Sequence, residues 1–463
     1  MDTIIKQIMK NVMDSMMKIT TKALEGEMNI FEAVEEIKNT TDAVGLDMLK
    51  ATLENVDSVL KSSAQRKKEF HIQRNEDKRE LVTIFGIVEF NRTYYKHKEN
   101  KNHVYLLDEM VGLQKYERID PFCKAKIIEN SLDMSYAKSV KHVTPVPVSR
   151  QSVKNAIREI GQIPNDTLPV KQEKKVVEKL YIEADEDHVA MQDGTNKIMK
   201  LIYVYEGAIQ KSKNRRELIN KRYFTGNLSP DDLWLEVADY LYEAYELEKI
   251  DNIYIAGDGA SWIKTGLGYI PGSKFVLDHF HLSKYVKKAT AHLDYLRDPL
   301  WQSLRKKDKK TALGLIQIAI ESTDSDSKTE SIKNVKKYIR NNWIGIENLF
   351  KEEKYICSTE GHISHILSSR LSSRPMGWSM IGADEMARMR TFRENGGSIS
   401  KYYNALRTNT KNDSRIRRID QKTIQKHKKQ CFGSFNPDTM IEMSNLAIPE
   451  FKWLKNISRY ATS

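Results

Sequence analysis

The sequence has few cysteines and no long apolar run, and both absences limit the kinds of protein that it can encode. Its three cysteines, Cys123, Cys357 and Cys431, are widely spaced and form no CxxC pair. They give no disulfide framework of the kind found in small secreted domains, so we expect a cytoplasmic protein. No segment approaches the eighteen or so apolar residues that cross a bilayer, and the N-terminus has no pattern of a secretory signal. A membrane is therefore not an expected partner.

The chain does have an excess of positive charge. It contains 75 Lys and Arg against 63 Asp and Glu in 463 residues, which gives a net charge of +12. This balance favours a polyanionic partner, and nucleic acid is favoured over a membrane because no strongly hydrophobic amphipathic anchor accompanies the charge. The length allows roughly two to four domains with separate cores.

Proline is absent from the first 70 residues, and apolar residues recur there at helical spacing. We therefore predict a helical N-terminal region over 1–75, serving either as a packing or dimerisation module or as a capping helical hairpin. Residues 76–115 change to a period of two in LVTIFGIVEFNRTYYKH, with Gly86 at a bulge or turn. This alternation predicts a small β-hairpin unit.

Residues 116–165 return to a helical pattern on both sides of the connector TPVPV. Ser149 is a candidate N-cap for the second helix, whose first turns would present Arg150, Gln151 and Lys154. Two helices joined by a turn, the second with a polar start, are typical of a helix-turn-helix DNA-binding unit. These three side chains are accordingly predicted to contact DNA, although helix pairs are common in proteins that bind none.

The next segment predicts an α/β domain. Runs such as KLYIEA, KIMKLIYVYEGAI and RYFTGN predict strands, DDLWLEVADYLYEAYEL a helix, and NIYIAGD and KFVLD further strands. Strands, a helix and then more strands indicate a mixed sheet with helices over 176–281. Residues 282–355 are almost wholly helical in pattern, and 396–463 form a basic C-terminal region.

Three widely separated acids carry the chemical prediction. Asp185 and Asp258 follow short apolar strands, and Glu360 opens a helix-like segment. Carboxylates brought together by a fold repel one another, and two Mg²⁺ ions would remove that cost, with Mn²⁺ as a substitute. The first acid is ambiguous, because Asp187 shares a strand face with Asp185. Asp258 is also a candidate for a simple turn or cap in GDGAS.

Further polar side chains follow two of these acids. Asp278 ends an apolar run and His281 comes three residues later, so the two would face one direction if a helix starts there and could steady a scissile phosphate. A plain N-cap and a His279–His281 metal pair are the alternatives. Arg370 and Arg374 follow Glu360 and are predicted to contact DNA phosphates.

These segments carry a family resemblance. GDGASWIK, LDHFHLSKY and TEGHISHILSSRLSSRPMGW resemble bacterial insertion-sequence transposases of the ISLre type, which are related to Mutator-like DDE transposases. The likeness extends to TIFGIVEFNRTYYKH and LLDEMVGL in the N-terminal half. The long motif at 360–378 is specific, whereas the separate acids are not.

The resemblance implies an RNase H-like catalytic domain over 176–281 and 356–395, with 282–355 as an all-α insertion. It implies a metal-binding triad of Asp185, Asp258 and Glu360, with Asp278 and His281 as an accessory catalytic motif. The expected partners are double-stranded DNA, both terminal inverted repeats and target, and further copies of the chain on that DNA. The alternatives are a DNA-binding regulator, an inactive transposase-derived protein and a stand-alone RNase H-like nuclease.

Overall fold

In a computed structural model of the chain, residues 2–170, 173–212, 215–351, 359–374, 376–409 and 423–427 are described. They form two compact units. The first comprises the residues up to Asn130, Ser135–Val153 and the described residues from Tyr403 onward, and the second comprises Ser131–Met134 and Lys154–Tyr402. Most of the predicted basic C-terminal region, 410–422 and 428–463, lies outside the described residues.

The first unit begins with three helices, α1 (Asp2–Leu24), α2 (Ile30–Ser62) and α3 (Ala64–Glu69). The start of α2 has a capping box, in which the Asn29 side chain accepts from the backbone N–H of Glu32 and the Glu32 carboxylate accepts from that of Asn29. These reciprocal bonds satisfy backbone donors that the first helical turn leaves unpaired. Within the predicted helical region, 1–75, these helices extend as far as Glu69.

A three-stranded antiparallel sheet follows, made of β1 (Phe70–Val82), β2 (Ile87–His97) and β3 (His103–Val104). It begins at Phe70, ahead of the predicted boundary at 76, and turns at Gly86 as predicted. Leu53 and Leu60 of α2 pack into one core with Val88 and Phe90 of β2.

Four short helices complete this part of the chain: α4 (Leu106–Val111), α5 (Pro121–Ser131), α6 (Tyr136–Lys141) and α7 (Arg150–Ile160). The stretch before TPVPV was predicted as one helix, and it is divided in two. The hydroxyl of Ser135 accepts from the N–H of Lys138 and thereby caps α6, so the chain restarts a helix instead of continuing one.

The second unit is built on a mixed sheet. Its elements in chain order are β4 (Lys179–Ala190), β5 (Asn196–Tyr205), β6 (Gly207–Ser212), β7 (Arg215–Ile219), β8 (Arg222–Gly226), α8 (Pro230–Ala244), β9 (Asn252–Gly257), α9 (Ser261–Lys264), α10 (Gly266–Tyr269) and β10 (Ser273–Leu277). The five-stranded sheet has the order β10-β9-β4-β5-β8, and β6 and β7 pair separately. Strands β10, β9 and β4 are parallel, whereas β4-β5 and β5-β8 are antiparallel.

This sheet confirms the predicted α/β class, and it has two different faces. Leu180, Ile182 and Ala184 of β4 point into the hydrophobic core, because side chains alternate across a strand. Tyr181, Glu183 and Asp185 occupy the other face. Helix α8 lies in the connection from β8 to β9, and α9 and α10 lie between the parallel strands β9 and β10, which need such a crossover.

The segment predicted to be helical contains α11 (His279–Thr290), α12 (Arg297–Arg305), α13 (Lys309–Glu321), α14 (Asp326–Asn341) and α15 (Trp343–Leu349), with a 3₁₀ turn at Asp294–Leu296. Its buried side chains belong to the same hydrophobic core as the sheet. Helix α15 approaches β10 so closely that a Cβ on Gly345 would lie 2.6 Å from the Phe275 ring. The helices therefore pack directly onto the sheet edge.

The remaining helices are α16 (Thr359–Ile363), α17 (Ser369–Leu371), α18 (Met380–Glu394) and α19 (Ile399–Asn409), with a π-helical turn at Ser364–Ser368 between the first two. Helix α18 packs against β8 and α16 packs against β4. Among the helices of the described residues, none has the length and apolar content that a membrane crossing requires.

Arg407 of α19 is held in the first unit by a buried ion pair. Its guanidinium donates to both carboxylate oxygens of Glu117, at 2.7 and 2.8 Å, and to the carbonyl of Gly112 at 2.9 Å. Lys124 lies 3.1 Å from the same carboxylate. Removal of one partner from such a buried pair leaves the other charge without compensation.

We expect Arg407→Ala to destabilise the first unit by about 3–5 kcal/mol, because the buried Glu117 carboxylate loses its main partner. Urea denaturation followed by circular dichroism measures this loss. The control is Arg118→Ala, which removes an exposed arginine from the same unit. Adding Glu117→Gln to Arg407→Ala should recover part of the lost stability, and a single variant as stable as the parent would contradict the assignment.

Candidate active site at the ends of three parallel strands

Two of the predicted acids meet because of the strand register. Glu183 of β4 lies opposite Ala256 of β9 in a parallel pairing. Two residues further along each strand, the chain reaches Asp185 and Asp258, which therefore come to the same level of the sheet. Neighbouring strands are about 5 Å apart, so these carboxylates are close neighbours at the carboxyl edge, where open α/β sheets place their ligands.

A third acid reaches the same edge from β10. Leu277 pairs with Gly257, and the N–H of Asp278 donates to the Gly257 carbonyl at 2.9 Å. Asp278 thus follows β10 at the level where Asp258 follows β9. The sheet brings three carboxylates to one edge from positions that are far apart in the sequence.

Asp185 has the electrostatics of a crowded carboxylate. Its pKa is raised to about 6, chiefly by burial and to a smaller extent by the carboxylates of Asp258 and Asp278, although the N–H of Glu186 and His281 oppose the rise. That N–H donates to Oδ1 at 2.8 Å. The ionised form is therefore held at a free-energy cost that a bound cation would remove.

The turn after β9 is held from two sides. Oδ1 of Asp258 accepts from the N–H of Ala260 at 2.8 Å, and the Asp258 carbonyl accepts from the hydroxyl of Tyr338 at 2.6 Å. Gly259 has a φ of +91°, and a Cβ there would lie 2.4 Å from Oδ1 of Asn342. Only glycine fits this close approach. Helix α14 thus supports the turn that carries the second acid.

Asp278 and His281 form the pair that their spacing predicts. Helix α11 starts at His279 with Asp278 as its N-cap, and Oδ1 of Asp278 accepts from the N–H of Phe280 at 2.9 Å. Nδ1 of His281 lies 2.8 Å from Oδ2, and this hydrogen bond raises the imidazole pKa. His279 instead stacks on Trp301, so the two histidines have different partners.

The alternative first acid, Asp187, has a different environment from Asp185. It is buried, and its Oδ1 accepts from the hydroxyl of Ser372 at 2.8 Å. It lies four residues beyond Glu183, the last residue of β4 that pairs with β9, whereas Asp185 lies two residues beyond it and is electrostatically coupled to Asp258 and Asp278. The geometry therefore favours Asp185 as the acid that shares the edge with the other two.

Glu360 belongs to helix α16, which packs against β4, the strand of Asp185. Its side chain lies outside the described residues, as does that of Thr359. Within the described part of the chain, no three His, Cys, Asp or Glu side chains are grouped as a metal site would need. The backbone thus brings the helix of the third acid to the strand of the first.

A buried polar cluster fixes α16 on the sheet. Nδ1 of His362 lies 2.7 Å from the hydroxyl of Tyr223, and its ring contacts that of Tyr203, with centroids 4.7 Å apart. The hydroxyls of Tyr203 and Tyr205 both donate to the fully buried carboxylate of Glu183, from Tyr205 at 2.5 Å. Burial lowers the pKa of His362 to about 4, so its ring is neutral at ordinary pH.

Comparison with known proteins places the chain in a family. Residues 23–405 match the profile of an uncharacterised protein family, UPF0236. A UPF0236 protein of Caldanaerobacter subterraneus subsp. tengcongensis is 42% identical over 392 residues, which are 84% of each chain. The chain belongs to the UPF0236 family.

Two further UPF0236 relatives extend this comparison. One from the same Caldanaerobacter is 42% identical over 401 residues, 86% of this chain and 85% of the relative, and its name combines eleven locus designations. Another, from Streptococcus gallolyticus, is 25% identical over 392 residues, 81% of this chain and 85% of the relative, and is named for its position in a vanSb 3′ region.

Arg370, which was predicted to contact DNA phosphates, has its guanidinium engaged within the protein. Arg370 is buried, its Nε donates to the Ser131 carbonyl at 2.9 Å, and its guanidinium lies 4.9 Å from the centre of the Trp378 ring. The planar guanidinium of Arg370 therefore packs and hydrogen-bonds within the second unit. Arg374, four residues later, is exposed.

The side chains predicted as DNA contacts on α7, Arg150, Gln151 and Lys154, are exposed in its first turns. Exposure leaves these three side chains as predicted DNA contacts.

Sequence reasoning missed the residues that support the site, chiefly Tyr338 and His362. The alternation in IYVY was an available signal for the cluster, because it places Tyr203 and Tyr205 on one face of β5.

We expect Asp185→Asn to raise the thermal midpoint at pH 8 in the presence of a chelator. The carboxyl pKa rises from about 3.9 in the unfolded chain to about 6 on folding. The cost of ionisation is therefore absent below pH 4, grows between pH 4 and 6, and is complete above pH 6. This free-energy cost of ionising Asp185 is on the order of 1–3 kcal/mol once the partial exposure of the side chain is taken into account.

This stability difference should vanish at pH 4, and Mg²⁺ at pH 8 should raise the midpoint of the parent more than that of the variant. Asp324→Asn, at an exposed acid, controls for the change in net charge. Equal midpoints of parent and variant at pH 8 would show that Asp185 carries no such cost.

We expect His362→Ala to loosen α16, because the variant loses the bond to Tyr223 and the contact with Tyr203. Hydrogen–deuterium exchange of peptides covering residues 359–371 should become at least several-fold faster. His188→Ala, at an exposed histidine of β4, is the matched control. Unchanged exchange in the His362 variant would mean that other contacts hold the helix.

Proposed function

We propose that this protein is a DDE-type transposase that cleaves DNA strands and joins them to a target in a metal-dependent reaction. The observation that carries the proposal is the meeting of Asp185 and Asp258 at the ends of adjacent parallel strands, with α16 packed on the first of them. This placement would let Glu360 complete a carboxylate triad. The order of the motifs along the chain resembles that of Mutator-like enzymes.

The fold supports the same proposal. An antiparallel meander, β4-β5-β8, continues through β4 into two parallel strands, β9 and β10, and such a mixed sheet is what an RNase H-like domain requires. The helices α11–α15 lie between the second and third acids, as an all-α insertion would. The net charge of +12 suits a DNA substrate.

The name of one relative adds independent support, because it joins eleven loci of a single organism. A sequence that copies itself within a genome is expected at many loci, whereas a regulator or a housekeeping nuclease is expected at one or a few. We infer that the family spreads as a mobile element and that this chain acts on the ends of its own element.

The residues present fit Mg²⁺. Asp185 and Asp258 supply carboxylate oxygens, the ligands that this ion prefers. Burial, with a smaller contribution from Asp258 and Asp278, raises the pKa of Asp185, and a cation would offset this cost of ionisation. Two bound ions would supply Lewis-acid activation of the attacking and leaving oxygens. The chain itself would position the DNA, since phosphoryl transfer depends chiefly on alignment and charge neutralisation.

His281 would act on the scissile phosphate. Asp278 engages Nδ1 of the imidazole, which fixes the ring, and the raised pKa favours the protonated form. Nε2–H is then available to donate to a phosphate oxygen. Asp278 would act as a positioning residue, whereas Asp185, Asp258 and Glu360 would hold the metal.

Glu360→Gln is expected to lower strand transfer more than about a hundredfold while DNA binding is retained, because a neutral amide is a poor ligand for Mg²⁺. The assay uses purified protein, Mg²⁺ and a donor plasmid that carries the gene with its flanking DNA, and it amplifies joined products. Glu330→Gln, at an exposed glutamate of α14, is the control. Retained transfer by the Glu360 variant would exclude the triad.

The same assay separates the alternatives. Cleavage without joined products by the parent protein would indicate a stand-alone nuclease. Binding of the flanking DNA with no cleavage in Mg²⁺ or Mn²⁺ would indicate a regulator or an inactive copy.

A further inference from the structure

The first unit contains a cavity of about 650 Å³ beside its three-stranded sheet, which we call the sheet cavity. It is lined on one side by residues of β1, β2 and β3 and by Tyr105, and on the other by residues of α4 and of the segment 113–116. Ligand pockets in proteins commonly have volumes of about 300–1,000 Å³. The acids of the candidate active site belong to the second unit and are not among the residues that line this cavity.

One wall of the sheet cavity is a row of planar side chains. Tyr94 of β2 stacks on His103 of β3, with ring centroids 5.4 Å apart, and lies 4.7 Å from the ring of Tyr105. The guanidinium of Arg74 lies 4.6 Å from the centre of the Tyr94 ring, and that of Arg92 lies 3.5 Å from the centre of the Tyr105 ring. Aromatic rings combined with arginine planes offer stacking to a flat ligand such as a nucleic-acid base.

Tyr116 lines the other wall and has an unusual conformation. It is 84% exposed, and its φ of +62° lies in the left-handed region that a bulky residue rarely adopts. The ammonium of Lys115 lies 4.9 Å from the centre of its ring. Backbone strain of this kind is concentrated at ligand-binding sites. An exposed ring with a lysine beside it suits a stacked base with its phosphate.

The floor of the sheet cavity is polar and buried. It includes Asp108 and Arg92, whose side chains are only 10% and 14% exposed. Arg79 and Arg92 both contact Oδ2 of Asp108, Arg79 at 2.6 Å. Among the described residues, neither Oδ1 of Asp108 nor Nε of Arg92 has a hydrogen-bond partner. An unpaired buried acceptor and donor are costly, and a ligand that carries a donor beside an acceptor would remove that cost.

These features together specify the chemistry of the ligand. Asp108 and Glu109 disfavour a simple anion, whereas Arg74, Arg92 and Lys115 disfavour a cation. A nucleotide satisfies both conditions, because its neutral base carries donors and acceptors in one plane and its phosphate carries the negative charge. In a duplex the Watson–Crick edge of the base is occupied and its faces are stacked, so only an unpaired nucleotide can offer both to a protein.

We propose that the sheet cavity binds an unpaired nucleotide, with the base inside the cavity and the phosphate beside Lys115. Single-stranded DNA and a free nucleotide both supply this chemistry. The choice of DNA over RNA rests on the proposed function, whereas the recognition of the base does not. Because the site lies in the first unit and uses none of the proposed metal ligands, its binding is measured without catalysis.

The test measures the fluorescence anisotropy of a labelled thymidylate hexamer mixed with the full chain at about 0.3 M salt, where contacts to phosphate alone are weak. The reference probe is a hexamer of abasic deoxyribose units with the same charge and label. The parent should bind the thymidylate hexamer at least about fivefold more tightly than the abasic hexamer, because stacked bases add to the affinity.

Tyr116→Ala should remove this difference and leave the binding of the abasic hexamer unchanged. Tyr116→Phe should retain the difference, because the ring remains. The matched control is Tyr295→Ala, at a tyrosine of the second unit that is 66% exposed, and it should bind both probes as the parent does. Tyr116 is exposed, so the circular dichroism spectrum should not change in its variants.

Equal binding of the two hexamers by the parent, or an unchanged difference in Tyr116→Ala, would overturn the proposal. Competition then identifies the source of the nucleotide. Displacement by equimolar thymidine monophosphate would support a free nucleotide, and displacement by unlabelled hexamer alone would support single-stranded DNA. Tighter binding of a uridylate RNA hexamer would overturn the choice of DNA, while strand transfer, which is assayed separately, would be unaffected.

Discussion

The parallel register of β9 against its neighbours β4 and β10 is the constraint on which the candidate site depends. It places Asp185, Asp258 and Asp278 at one edge of the sheet, although 93 residues of sequence separate the first from the last. Burial, together with a smaller repulsion from Asp258 and Asp278, raises the pKa of Asp185. Clustered carboxylates that are costly to ionise are typical of functional sites. We propose that these carboxylates serve a metal-dependent reaction.

The elements around this edge hold it in place. Tyr338 of α14 binds the carbonyl of Asp258, and His362 fixes α16 on tyrosines of the sheet. Tyr338 belongs to the segment 282–355, so residues that the family resemblance implies are an insertion also support the candidate site. Helices α11–α15 share one hydrophobic core with the sheet, and loss of packing there would be transmitted to the acids.

Much of the local structure was predictable from the sequence, because strands and helices differ in the period of their apolar residues. The strand of Asp185 and the capped start of α11 at Asp278 are examples. The choice between Asp185 and Asp187 was not, because both lie on one face of β4. Only their tertiary contacts separate them, since Asp187 accepts from Ser372 whereas Asp185 is coupled to Asp258 and Asp278. Nor does the position of Arg370 in a basic motif reveal that its guanidinium contacts the Ser131 carbonyl and the Trp378 ring.

The sequence by itself determined the α/β class, the helical N-terminal region, the basic character of the chain and the identity of the candidate acids. These depend on local periodicity and on composition, which need no knowledge of distant contacts. Only the tertiary structure decided which acids meet and which arginine is buried. Such properties arise from contacts between residues far apart in the chain, and a local pattern carries no information about them.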